Sequence, residues 1–418
     1  MSLGAKTTVH AVGYVFIALT WLPLFFLIFL IATYSPALEE RRTGCTDSQG
    51  LYLFLCEKYQ PSTVQYLHPL YLFFFPTREE ELREVNNAIV HIGQEGFRGA
   101  GVEEGGKRKI AFLLGGSTAF GHFATSDDKT ITGYLNAFQE EYHFVNAGVP
   151  SWNTTQELHR LVDQLLRYHP ALVVTLDGFN DLAVAITYYR QGAPYPPSTP
   201  ESFRELDLLF HDVRAVAPFV ENNSPEFEEQ MRDLFRKFRK LHGLQWETRS
   251  VGDGSALARG VADVYTQNVE TMQKISEAYG SRFLALFQPV QSEHMNTDFV
   301  IRDESQRSEV YVLFRRAVIK MANEKGISLT DFSDIFDRSM ASVPVFDGSL
   351  TDLKPEEHIF VDNVHLTDRG NAIVAKEIIA LLREKEWLEP SLLKTEDMEN
   401  LATFDSRDSV PTQTILLR

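Results

Sequence analysis

Cysteine is nearly absent from this chain, which has two cysteines among 418 residues. Two thiols cannot build a disulfide scaffold or a four-cysteine zinc site, so both classes of protein are excluded. Basic residues are also scarce, because 40 Lys and Arg face 57 Asp and Glu and the formal net charge is −17. An acidic surface repels phosphate backbones, so we expect no nucleic acid among the partners.

The chain also lacks an extreme composition and paired histidines. Hydrophobic residues make up 44% and charged residues 23%, which excludes a wholly disordered, collagen-like or multi-span membrane protein. The length predicts one large or two modest domains. Five histidines have no partner at metal-ligand spacing and are expected to be structural: His122, His159, His169, His294 and His358. We predict neither a metal nor a cofactor.

Only one apolar run is long enough to cross a membrane, and it lies near the N-terminus. Residues 12–32 carry no charge, and a spanning helix needs roughly 20 apolar residues. Pro23 interrupts the run but is tolerable in a membrane helix. A cleaved signal peptide is the alternative, although its apolar core is usually only about 7–15 residues. We predict a short tail (1–11) and then a transmembrane anchor (12–34) in the lipid bilayer.

Two observations disagree about which side of the membrane carries the rest of the chain. One basic residue, Lys6, precedes the anchor, whereas three follow it: Arg41, Arg42 and Lys58. This bias weakly favours a cytoplasmic body. Cys45 and Cys56 lie close together just beyond the anchor, and a disulfide between them would persist only in an oxidising compartment. Two isolated thiols remain the alternative to that disulfide.

Residues 35–107 are predicted to form a membrane-proximal stalk or cap. The segment contains a second apolar patch, 66–75, which is too short to span a membrane and includes His68 and Pro69. We expect this patch to pack on the main domain or to rest at the interface. A linker rich in glycine and glutamate, 101–106, precedes the main domain.

From residue 108 the chain alternates between short apolar runs and segments with helical spacing. Strands are predicted at 110–114, 142–149, 171–176, 283–287 and 327–332. Helices are predicted at 130–141, 154–168, 261–279, 308–323 and 373–382. Such alternation predicts an α/β domain, here 108–388, with a parallel sheet and helices on both faces.

The alternation breaks in an insertion at about 191–260. Ser224 is a good N-cap and Pro225 suits the first helical position, so a helix is predicted to begin there. That helix is amphipathic and basic. We favour an ordinary lid helix, and contact with a membrane surface is the alternative. The polar tail, 389–418, is expected to be loosely ordered.

A serine follows the first predicted strand of the domain, in the stretch Gly115-Gly116-Ser117-Thr118. Ligands of open parallel sheets bind at the carboxyl ends of the strands, so a reactive group belongs there. A phosphate loop is excluded because Gly121 is followed by His122 rather than by Lys and Ser or Thr. The alternative is that Ser117 only caps a helix.

Serine is a weak nucleophile and needs a base. His365 is a candidate, and Asp362, three residues earlier, could orient its imidazole. Thr367 is a plausible N-cap for the following helix, which would leave His365 on the loop before it. An Asp and a His at this spacing are common, so the pair alone is weak evidence.

Candidate oxyanion donors follow the next two predicted strands. Gly148 could offer a backbone N–H after the second strand, and Asn180 its side-chain amide after the third. The alternative for Asn180 and Asp181 is a role as turn residues. Trp152 and Phe179 are neighbours of these segments and could line an acyl or sugar pocket, or pack in the core.

Together these segments resemble the SGNH (GDSL-type) hydrolases. The resemblance rests on four blocks in order, at 115–118, 146–148, 178–181 and 362–365, and covers about 107–388 without the insertion. It implies a flavodoxin-like three-layer α/β/α SGNH-hydrolase domain. It also implies Ser117 as nucleophile, His365 as base and Asp362 as its orienting residue. Ser117 N–H, Gly148 N–H and the Asn180 amide would form the oxyanion hole.

One position departs from the family pattern, since Gly116 stands where the family name has Asp. Upstream, 96–99 looks like a segment that often precedes the domain in bacterial members.

The resemblance implies a membrane-anchored serine esterase acting through an acyl-enzyme. Tethered members often act on acylated envelope polysaccharides or glycans, which favours a periplasmic domain and an O-acetylated substrate. An O-acyltransferase with the same triad is one alternative. A catalytically idle subunit of a membrane assembly is the other, since the stalk, insertion and tail leave room for protein partners.

Overall fold

The computed structural model describes residues 66–68, 72–75, 86, 89–190, 254–290, 305–336, 359–360 and 364–394. Several predicted features lie outside these residues: the anchor, both cysteines, the helix at Ser224, Asp362 and most of the tail. Among the helices that are described, none is long and apolar enough to cross a membrane.

A parallel sheet forms the centre of the described structure. The strands are β1 (Tyr66–His68), β2 (Leu72–Phe74), β3 (Lys109–Gly115), β4 (Tyr142–Asn146), β5 (Leu172–Asp177), β6 (Arg282–Phe287) and β7 (Leu329–Asp331). Strands β3 to β7 pair in the order β4-β3-β5-β6-β7, and every pairing is parallel. Counted from β3, this is the order 2-1-3-4-5 of flavodoxin-like folds. The predicted α/β class with a parallel sheet is thereby confirmed, whereas the transmembrane helix predicted to precede it lies outside the described residues.

Helices cover both faces of this sheet, as predicted. They are α1 (Ser117–Phe120), α2 (Ile131–Phe138), α3 (Thr154–Asp163), α4 (Phe179–Arg190), α5 (Ser255–Ala278), α6 (Ser305–Lys325) and α7 (Asp368–Glu384). One buried core lies under α3, α4, α5 and α6, and the other under α2 and α7. The central strands are buried on both faces, which explains their continuous apolar runs.

The five predicted strands and five predicted helices are all present, with small shifts at their ends. Two helices, α1 and α4, were not predicted, and neither was the antiparallel pair formed by β1 and β2. The β1–β2 pair occupies the apolar patch 66–75. Its last residue, Phe75, is buried and stacks on Phe120 of α1 with ring centroids 5.4 Å apart. At Phe75, the patch therefore packs on the main domain.

Candidate active site

Ser117 lies at the carboxyl end of β3, at the first residue of the one-turn helix α1. The chain turns sharply there through Gly115, whose φ is +147°. A Cβ on Gly115 would lie 2.2 Å from the carbonyl oxygen of Leu176, so only glycine fits. The N-cap of α1 is Gly116, and Ser117 makes no capping hydrogen bond. The alternative that Ser117 is a helix cap is therefore wrong.

The Ser117 hydroxyl contacts an imidazole instead. Its Oγ lies 2.7 Å from Nε2 of His365, although 248 residues separate them in sequence. His365 stands on the loop before α7, where Thr367 is the N-cap and accepts a hydrogen bond from the N–H of Gly370. Both parts of that prediction are confirmed. At this distance an imidazole nitrogen can accept the proton of a serine hydroxyl, which is how a weak nucleophile is activated.

Two aromatic side chains lie against the imidazole of His365. His122 has its ring centroid 4.7 Å from that of His365, and Phe123 lies 5.5 Å away, edge to face. Phe123 has a φ of +68°, which is unusual for a bulky residue and brings local strain to this turn. The structural role expected for His122 stays a prediction. Its contact with the candidate base depends on the fold, and metal-ligand spacing could not predict it.

Asn180 lies in the first turn of α4, after the end of β5. Its Nδ2 donates to the backbone carbonyl of Trp152 at 2.7 Å, which leaves the second amide hydrogen for another acceptor. A Cβ on Gly116 would lie 2.3 Å from this Nδ2. Asn180 thus packs directly against the residue before Ser117. Trp152 itself is buried, which favours core packing over a pocket wall.

Gly148 packs on the backbone of α1. A Cβ there would lie 2.4 Å from the N of Phe120, so glycine is required for the close approach. Its N–H donates to Oδ1 of Asn146 at 3.1 Å. The predicted role of Gly148 in an oxyanion hole stays a prediction, as does the role of Asp362, which lies outside the described residues.

Three buried carboxyl groups form a cluster that includes Asp181, the neighbour of Asn180, for which the sequence suggested only the alternative of a turn residue. This carboxyl cluster consists of Glu157, Asp177 and Asp181. Burial, together with the charge of Asp177, raises the pKa of Asp181 to about 8. Burial and the two neighbouring carboxyls raise the pKa of Glu157 well above its ordinary value. Protonated Glu157 can then donate to Asp177.

The cluster also has neutral donors that hold its shape. Oδ1 of Asp181 accepts from the hydroxyl of Thr154 at 2.6 Å and from its N–H at 3.3 Å, at the N-terminus of α3. Tyr265 of α5 faces the same cluster, and burial together with the charge of Asp177 raises the pKa of its hydroxyl. Within the described part of the chain, no group of three His, Cys, Asp or Glu side chains is arranged to hold a metal ion. The cluster thus lies between β5 and the helices α3, α4 and α5, where burial disfavours the charged form of its carboxyl groups.

Comparisons with known proteins give distant structural similarities. No protein-family model matches the chain, and no curated protein matches its sequence. The chain is similar to the solved structure of an acetyl xylan esterase, with 14% identity and a TM-score of 0.35 over 65% of this chain and 99% of that one. It is also similar to a GDSL-like lipase from Bacteroides thetaiotaomicron, with 14% identity and a TM-score of 0.34 over 69% and 92% of the two chains.

A third similar structure is a catalytic mutant of an acetylxylan esterase from Geobacillus stearothermophilus. Identity is 15% and the TM-score 0.35, over 67% of this chain and 96% of that one. At this distance the function has to be argued from the geometry of the site itself.

Proposed function

We propose that this chain is a serine esterase in which Ser117 attacks an acyl ester. The observation that carries the proposal is the 2.7 Å contact between Ser117 Oγ and His365 Nε2. The two residues meet where β3 and β5 lie side by side with β4 on the far side of β3. That is the switch point of a flavodoxin-like sheet, where ligands bind.

The chemistry follows from the protons available at these atoms. His365 Nε2 takes the proton of Ser117 as Oγ attacks the ester carbonyl, and returns it to the departing alcohol. A water molecule, deprotonated by the same nitrogen, then attacks the acyl carbonyl. The bond to Ser117 Oγ breaks, Oγ takes the proton back from His365, and the carboxylic acid is released. The free amide hydrogen of Asn180 stabilises the oxyanion in both steps. Asp362 orients His365 in this proposal.

The substrate and the location extend the proposal. A periplasmic domain tethered by the anchor 12–34 would face acylated envelope polysaccharides or glycans, and an O-acetyl ester fits such a substrate. The same Ser117 and His365 would serve an O-acyltransferase if a sugar hydroxyl replaced water. A catalytically idle subunit is the remaining alternative, and the close Ser117–His365 contact speaks against it.

Substituting Ser117 tests the proposal directly. Ser117→Ala should lower the turnover of p-nitrophenyl acetate by at least ~10³-fold, because no other hydroxyl occupies that position. A fluorophosphonate probe should label the parent protein and not this variant. Ser281→Ala is the control, since the Ser281 hydroxyl is buried away from this site and donates to the Pro170 carbonyl at 2.6 Å. Equal labelling of the parent and Ser117→Ala would refute the nucleophile.

A further inference from the structure

Thr118 follows the candidate nucleophile, and its side chain contacts the residue before the candidate base. Thr118 is buried, and its Oγ1 donates to the backbone carbonyl of Val364 at 3.2 Å. Two consecutive residues of α1 therefore contact two consecutive residues of the histidine loop: Ser117 contacts His365, and Thr118 contacts Val364. The two segments are joined by side chains from positions about 250 apart in sequence.

The direction of the Thr118 hydrogen bond is set by Gln288. Its Nε2 donates to Thr118 Oγ1 at 3.3 Å, and Gln288 is itself buried at the end of β6. An amide nitrogen only donates, so the single hydroxyl proton of Thr118 is left for the Val364 carbonyl. The backbone of Gln288 is fixed in turn. Its backbone N–H donates to the Asp177 carbonyl at 2.9 Å, and its backbone carbonyl accepts from the Tyr311 hydroxyl at 3.2 Å.

Other hydrogen bonds also hold this loop: the N–H and the hydroxyl of Thr367 both donate to the Ile359 carbonyl, at 2.9 and 3.2 Å. Thr125 donates its N–H, at 2.9 Å, and its hydroxyl to Asp368, in the first turn of α7. Asn371 donates to the Lys129 carbonyl at 3.0 Å. These contacts fix the start of α7, whereas the Thr118 bond fixes the peptide unit directly before His365. A shift of that peptide would move the imidazole relative to Ser117 Oγ.

We propose that Thr118, oriented by Gln288, is a positioning residue that holds His365 in reach of Ser117. The inference rests on the proposed function and adds to it two residues that do not touch the substrate. A misplacement of about 1 Å in a reacting group can lower a rate by about 10²-fold. The effect should appear in kcat, because Thr118 is buried and has no access to substrate.

The experiment compares substitutions that keep the shape of the side chain. Thr118→Val, which removes only the hydrogen-bonding capacity, should lower kcat for p-nitrophenyl acetate by about 10²-fold with KM nearly unchanged. Thr118→Ser should keep most of the parent kcat, because the hydroxyl is retained. Gln288→Met should lower kcat less than Thr118→Val does, since the Thr118 hydroxyl is intact but Gln288 no longer orients it. The double variant should lose no more than Thr118→Val, because both changes act on the same bond.

Thr266→Val is the matched control for stability. Thr266 is also buried, and its hydroxyl donates to the Ala262 carbonyl within α5. Thr266→Val and Thr118→Val should melt at similar temperatures, and only the latter should lose kcat. Equal kcat for these two variants would overturn the positioning role while leaving Ser117 as nucleophile. A parent protein that neither hydrolyses the ester nor reacts with a fluorophosphonate would overturn the proposed function, and this inference with it.

Discussion

Gly116 shows how a single residue shapes this site. The family name places Asp at this position, but a Cβ on Gly116 would meet the Asn180 amide at 2.3 Å. A larger side chain could fit only if the Asn180 side chain moved away from residue 116. The position of the Asn180 amide therefore depends on glycine at 116. This glycine allows the Asn180 side chain to lie directly beside the turn that carries the nucleophile.

Asn180→Ala should lower kcat by roughly 10²–10³-fold, equivalent to about 2.7–4 kcal/mol, and leave KM nearly unchanged. The reason is that the oxyanion it would stabilise forms only in the transition state. The variant also loses the hydrogen bond to the Trp152 carbonyl, which contributes about 1 kcal/mol to stability. Kinetics and melting temperature, measured on one preparation, separate the two effects.

Asn136→Ala provides the matched control for that substitution. Asn136 also uses its amide to hold backbone, donating to the Phe144 carbonyl and accepting from its N–H, both at 2.8 Å. It should lose stability and keep kcat. If Asn180→Ala behaved in the same way, destabilised but fully active, Asn180 would be a turn residue and not an oxyanion donor.

At the scale of elements, the helix α1 is short and is held by hydrogen bonds from residues outside it. Four residues form too few internal hydrogen bonds to hold a helix by themselves. The buried Arg98 donates to the carbonyls of Phe120 and Gly121, at 3.2 and 2.6 Å, and Asn146 also donates to Phe120 at 3.1 Å. These donors satisfy carbonyls that the helix end leaves unpaired.

The longer elements could be predicted from sequence because their signals are local. Strand β3 is a continuous apolar run, and α3 has apolar residues at helical spacing. The helix α4 was missed because its apolar stripe is short: among its side chains that the structure describes, the buried apolar ones are Leu182, Ala185 and Ile186. The roles proposed for Ser117 and His365 were predicted from four short blocks. The Thr118–Val364 bond was not, because it depends on how two distant loops meet in space.

The carboxyl cluster gives a testable pH dependence. Burial holds the pKa of Asp181 at about 8, against an ordinary value of 3.8. Between these values the folded chain keeps a proton that the unfolded chain has lost, so stability should fall as pH rises through that window. Asp181→Asn keeps an acceptor for Thr154 and removes the titration. Its stability should therefore fall less steeply with pH, by up to about 1.4 kcal/mol per pH unit.

Urea unfolding between pH 5 and about 7.5 would measure this slope. Asp163→Asn is the control, because Asp163 is exposed on the same helix as Glu157. Since coupled carboxyls titrate together, the change belongs to the cluster as a whole. Parallel stability curves for the parent and Asp181→Asn would show that no proton is held at Asp181.

At the scale of the whole molecule, the sheet order explains how the site is assembled. The chain places β4 on one side of β3 and then crosses to add β5, β6 and β7 on the other. The residues after β3 and β5 therefore meet at one edge, and Gln288 after β6 joins them. Residue 365 returns to that edge from far along the sequence. The topology brings together four segments, none of which could carry the chemistry alone.

The redox state of the two cysteines tests whether the domain lies inside or outside the cytoplasm. Basic residues after the anchor favour a cytoplasmic body, whereas an envelope substrate requires an extracytoplasmic one. Only an oxidising compartment would keep a Cys45–Cys56 disulfide. We therefore expect protein taken from the membrane of its host to resist thiol alkylation until it is reduced.

The mass of the alkylated protein, measured with and without prior reduction, should differ by two modified cysteines. A Cys45→Ser Cys56→Ser variant supplies the unmodified reference mass. Two cysteines that are alkylated without reduction would contradict the disulfide and favour the cytoplasmic orientation, and a cytoplasmic acyl ester would then be the next substrate to test.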